Sequence, residues 1–270
     1  MTLKGKGYRI WALLLWPCVV PNPLPAQSVT VTGHVTLVAQ AKDRRSADSA
    51  NVVVWLMPQP AAAAVSPSTI APATAASVPS VASPVGAASS SPASRPAPRY
   101  QLLQKNKRFS PHILVVPLGA VVEFPNQDPF FHNVFSMFEG KRFDLGLYEA
   151  GTTRTVTFNK SGVSYIFCNI HPEMSAVVIV TSTPYYGISN AEGEIAINGV
   201  PAGLYLLNVW TERCQPQTLK AAGHEVMISP QSSSLGELRL MESGDLLAKH
   251  KNKYGRDYDR SVAPSLYGVE

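Results

Sequence analysis

Between residues 29 and 38 the chain alternates, with Val29, Val31, Gly33, Val35 and Leu37 on one side and mainly threonines and His34 on the other. A period of two is that of a strand with one buried face. Residues 51–57 (NVVVWLM) form a continuous apolar run, predicting a more deeply buried strand. Residues 42–49 between them predict a polar turn. From residue 100 to 180 the apolar runs are short and rich in β-branched and aromatic residues. Those at 113–117 and 120–124 are split by Leu118-Gly119, and that at 152–158 ends on Asn159-Lys160-Ser161-Gly162. Two more, at 163–167 and 176–181, flank a loop that begins at Cys168. Further strands are predicted at 194–197 and 204–210, set off by Asn190-Ala191-Glu192-Gly193 and Pro201-Ala202-Gly203. Short strands with frequent turn signals predict an all-β fold of antiparallel sandwiches, with no long helix.

Composition divides the chain further. Residues 58–98 are mainly Ala, Ser, Pro, Val and Thr, with Arg95 as the one charge and no aromatic residue. Recurrent proline blocks helix, and nothing large is available to bury, so a disordered linker is expected there. Lys4, Lys6 and Arg9 followed by the apolar run 10–20 read as a signal peptide, 1–26, with a plausible cleavage point after Ala26. A periplasmic or secreted protein follows from that reading. The formal charge of +5 would fall to about +2 on cleavage, which leaves no nucleic-acid footprint. No later segment is long and apolar enough to cross a membrane as a helix. The expected organisation is therefore 1–26 signal peptide, 27–57 N-terminal strands, 58–98 linker, 99–183 first β domain, 184–241 second β-sandwich and 242–270 polar tail. Which sandwich the strands of 27–57 complete is left open. The tail is expected to be mobile or to wrap a surface.

The chemistry is concentrated in Cys168-Asn169-Ile170-His171-Pro172-Glu173-Met174 and, upstream, in Asn126-Gln127-Asp128-Pro129-Phe130-Phe131-His132-Asn133. Taken singly, each residue has a plainer explanation: a cysteine in the core or a disulfide, a methionine in the core, a histidine on the surface. Jointly they offer a thiolate, two imidazoles and a thioether. Cys168, His171 and Met174 are three apart on one loop between strands, and His132 comes from a distant segment. Soft sulfur ligands with imidazole select copper, whereas zinc sites are built from Cys, His and carboxylate ligands, without a thioether. Cys214 would remain as a single thiol.

At these residues the chain resembles the cupredoxins, and its Cys-x2-His-x2-Met spacing resembles the short ligand loop of amicyanin within the amicyanin and plastocyanin group. The resemblance covers about residues 100–183. It implies a Greek-key β-sandwich with one type 1 copper, held by His132, Cys168, His171 and Met174. It also implies that Asn133 ties the two ligand segments together. Residues 184–240, with their Asn-x2-Gly-x-Ile and Pro-x-Gly-x-Tyr patterns, resemble a carboxypeptidase regulatory-like domain. That implies a second, small immunoglobulin- or transthyretin-like sandwich. The pairing resembles periplasmic methylamine-utilisation-like proteins.

No His-Glu-x-x-His motif is present in the sequence, and His224-Glu225 lacks the second histidine. The chain is not expected to be an enzyme. A site of Cys, two His and a weak Met passes single electrons, so the expected function is one-electron transfer with a transient protein redox partner. The alternatives are a periplasmic copper carrier or storage protein and a non-redox surface-interaction module. Phe130, Phe131, Phe135, Phe138, Ile170 and Pro172 flank the ligands and divide between core and an apolar docking rim.

Overall fold

The computed structural model describes residues 28–39, 44–45, 48–60, 98–137, 140–243 and 250–258. The signal segment and nearly all of the Ala/Pro/Ser-rich stretch lie outside them. Before that stretch come β1 (Ser28–Ala39), β2 (Arg44–Arg45) and β3 (Val53–Pro58). After it come β4 (Tyr100–Gln101), β5 (Leu103–Lys105), β6 (Arg108–Ser110), β7 (Ile113–Pro117), β8 (Ala120–Pro125) and β9 (His132–Ser136). The chain continues with β10 (Phe143–Tyr148), β11 (Thr153–Phe158), β12 (Gly162–Cys168) and β13 (Ser175–Thr181). The final run is β14 (Tyr186–Ile188), β15 (Glu194–Pro201), β16 (Gly203–Trp210), α1 (Pro216–Ala222), β17 (His224–Ile228) and β18 (Ser234–Glu242). The all-β expectation is met, with one helix of 7 residues among those described. The stretch read as a polar turn at 42–49 contains β2, which pairs with the end of β1.

Strands β7 to β10, β12 and β13 build one sandwich with β4 and β11. One sheet runs β10-β9-β12-β13-β7 and the other β11-β8-β4. Alternation along the strands drives both inner faces into a single core that includes Val122, Phe124, Val134, Phe158, Ile166 and Val178. The turn between β7 and β8 needs a left-handed backbone at its second position, and Gly119 supplies it at φ +85.

The strands of residues 28–58 join the other sandwich. Strand β1 lies between β15 and β18, and β3 lies between β14 and β16, in the sheets β15-β1-β18 and β14-β3-β16-β17. Both are therefore paired on two edges. Their buried residues Val31, Val35, Leu37, Val54 and Leu56 share one core with Ile195, Ile197, Leu207 and Leu240. Cys214 is part of that core, a free thiol only 2% exposed. Burial, with Glu242 nearby, pushes it up to about 11. The chain thus leaves this sandwich after β3, builds the other, and returns at β14.

The two sandwiches meet through an apolar layer of Val53 and Trp210 from one and Ile113, Val115, Val177 and Ile179 from the other. Glu212 closes its edge by contacting His112 Nε2 at 2.8 Å.

Candidate metal centre

Neighbouring strands lie about 4.8 Å apart, and the pairing of β9 with β12 brings two of the singled-out residues together. Cys168 pairs with Val134 across this ladder. Because side chains alternate, His132 and Val134 share a face, as do Ile166 and Cys168. Cys168 ends β12, and the chain turns through His171 to Met174 before β13 starts at Ser175. The turn is fixed by its own backbone. The Cys168 N–H donates to the Met174 carbonyl at 3.1 Å, and the Met174 N–H donates to the His171 carbonyl at 3.1 Å.

The result is a compact donor set. One ligand atom from each of His132, Cys168 and His171 lies within 4.8 Å of the others. Cys168 Sγ is 3.6 Å from His132 Nδ1 and 3.5 Å from His171 Nδ1. An ion with bonds of about 2.3 Å to sulfur and about 2.0 Å to nitrogen, at tetrahedral to trigonal angles, needs S···N separations of about 3.5–3.7 Å. The observed spacing fits. Met174 is fully buried in the same core cluster as Cys168.

His132 is wholly buried, and its Nε2 lies 2.8 Å from Asp128 Oδ2. Asp128 is itself 4% exposed. Burial works to raise its carboxyl, but hydrogen bonds from the Lys107 N–H, His132 and the Asn106 N–H outweigh that and hold it below the usual range. An ionised Asp128 accepts the Nε2–H of His132, which leaves Nδ1 with a free lone pair facing the thiol. Burial keeps His132 below the ordinary histidine value despite Asp128. His171 is half-buried, and burial together with the nearby His132 and Lys107 pushes it down to about 4. Both imidazoles are therefore neutral at neutral pH, as ligands must be. Burial raises the Cys168 thiol, while backbone N–H groups of Asn133, Ile170 and His171 favour the thiolate.

The Phe130 ring packs against both imidazoles, with centroids 5.3 Å from His132 and 5.6 Å from His171. The flanking apolar residues divide. Phe135 is core, whereas Phe131 is 41% and Ile170 45% exposed. Phe138 lies outside the described residues.

Asn133 joins the ligand segments by its backbone, its carbonyl accepting the Asn169 N–H at 3.1 Å. Its side chain donates to Asp144 Oδ1 at 2.7 Å. The sequence assigned no role to Asp128 or Asp144; the tail, expected to be mobile or to wrap a surface, reaches this region with residues 250–258. Only the Asp-x3-His spacing of Asp128 and His132 offered a signal.

No protein-family model matches the chain, and no curated protein matches it. Among solved structures, it is similar over 30% of its length to a purple cupredoxin from Nitrosopumilus maritimus, at 26% identity, 99% of that chain and a TM-score of 0.28. It is similar over 32% of its length to a copper-containing nitrite reductase from Thermus scotoductus SA-01, at 25% identity, 23% of that chain and a TM-score of 0.30. A reduced Cu(I) form of an amicyanin mutant is similar over 31% of this chain and 82% of its own, at 20% identity and a TM-score of 0.29.

Proposed function

We propose that the chain is an exported one-electron carrier whose single type 1 copper is held by His132, Cys168, His171 and Met174. The observation that carries this reading is the close approach of one thiol and two neutral imidazoles, with a buried thioether on the same loop. That donor set is the one that favours copper over zinc. When bound, copper would supply a Cu(I)/Cu(II) couple.

The chain's own residues do the rest. Asp128 keeps the His132 proton on Nε2, so that Nδ1 is offered to the metal. The backbone hydrogen bonds from Cys168 to Met174 and from Met174 to His171 hold three ligands in one short turn. His171 is the more exposed imidazole and serves as the contact with a partner, inside an apolar rim of Phe131 and Ile170. The partner is a transient protein redox partner, with the weak, small interface such encounters use. From its sequence patterns we read the other sandwich as a carboxypeptidase regulatory-like module, and the chain as a carrier and not an enzyme.

Visible absorption of the copper-loaded protein tests this. The expected result is an intense band at about 600 nm and a reversible one-electron potential, with both lost in Cys168→Ser. A colourless protein that takes up only Cu(I) would overturn electron transfer in favour of copper carriage.

A further inference from the structure

Residue Phe167 presents a puzzle of alternation. Its neighbours Ile166 and Cys168 point into the sandwich core, so Phe167 points out of it. Yet it is only 1% exposed. On that outer face the His250 ring of segment 250–258 stacks on Phe167 at 4.1 Å and 18°, and the Phe135 ring meets it at 5.9 Å. Tyr258 in turn meets His250 edge-on at 5.2 Å.

The segment is shaped by Asn252, whose side chain accepts the N–H groups of Tyr254 and Arg256, each at 3.0 Å. The resulting turn presents two residues to the ligand region. Tyr258 donates its hydroxyl to the Cys168 carbonyl at 2.7 Å. The Lys253 N–H donates to Asn169 Oδ1 at 3.0 Å, and its ammonium lies 2.9 Å from Asp144 Oδ2. Asp144 also accepts the Asn133 amide, and the Asn133 carbonyl accepts the Asn169 N–H. Lys253, Asp144, Asn133 and Asn169 therefore form a closed circuit of hydrogen bonds. It joins the residue after His132 to the residue after Cys168.

We infer that residues 250–258 form a strap that locks the thiolate loop against β9, with Tyr258 and Lys253 as positioning residues for the metal centre. The strap bonds directly to the Cys168 segment and reaches the His132 segment through Asp144, which accepts both the Lys253 ammonium and the Asn133 amide. This inference rests on the copper reading for its purpose, but the docking of the strap does not.

The test uses the full chain with Tyr258→Phe, Lys253→Met and Lys253→Arg. In metal-free protein, hydrogen exchange is followed at the amides of Cys168, Asn169 and Met174. Exchange is expected to quicken about 10-fold in the first two variants, and Lys253→Arg restores it. In copper-loaded protein, release to a chelator is expected to be about 10- to 100-fold faster in the same two, with a displaced charge-transfer band and an unchanged denaturation midpoint. Unchanged exchange overturns the strap. Faster exchange with wild-type copper release and spectrum overturns its positioning role. Should the wild-type protein take up no copper, the proposed function fails, and exchange in the metal-free chain still decides whether the strap locks the loop.

Discussion

Asp128 shows what one buried carboxylate contributes. A buried charge is costly unless paired, and Asp128 is compensated by two backbone N–H groups as well as by His132. Asp128→Asn keeps the volume but removes the charge and lets the amide bond either tautomer of the imidazole. Copper affinity is expected to fall about 10- to 100-fold, read by competition with a chelator of known affinity. An affinity equal to wild type would mean that the tautomer is fixed by other contacts. The same imidazoles set a pH dependence. His132 and His171 are both held below 6.5, His171 at about 4. The unfolded chain then binds protons first, so their contribution to stability is present above pH 6.5 and is lost as pH falls towards 4. The denaturation midpoint of metal-free protein should therefore drop across that window, and a His171→Gln variant should drop less. Cys168, His171 and Met174 were legible in sequence because one short turn carries all three. Asp128 was not, because an acid four residues before a histidine is common in turns and only the fold aims it at Nε2.

At the scale of elements, the apolar alternation of β1 and the apolar run of β3 announced strands but not partners. Alternation specifies which face is buried, and a strand of either sandwich would bury the same face. Pairing instead follows from the return of the chain at β14, which lies beside β3. Because β1 and β3 are interior strands of their sheets, residues 184–243 alone lack the middle of both. That fragment is expected to be unfolded, with collapsed amide shift dispersion, whereas adding residues 28–60 restores the sheets. A well-dispersed spectrum from 184–243 alone would contradict the pairing. Outward-facing Phe167 was equally illegible. Full burial of such a side chain contributes about 1.5–3 kcal/mol, and here one of its covering rings, His250, comes from a tail segment more than eighty residues away.

For the whole molecule, the sequence left open which sandwich residues 27–57 complete, and the structure nests one sandwich inside the other. The composition break at residues 58–98 obscured this, because a long Ala/Pro/Ser-rich stretch reads as a boundary between domains. The layer of Val53, Trp210, Ile113, Val115, Val177 and Ile179 then packs the two sandwiches together. Strand β1 also runs parallel to β18, from Thr32 opposite Ser234 to Ala39 opposite Glu242. A pull applied between Ser28 and Glu242 would act at opposite ends of one ladder. Its hydrogen bonds would share the force in shear instead of opening one at a time. The inserted sandwich contributes no strand to that ladder, so the donor set would keep its spacing while the ladder carries the load.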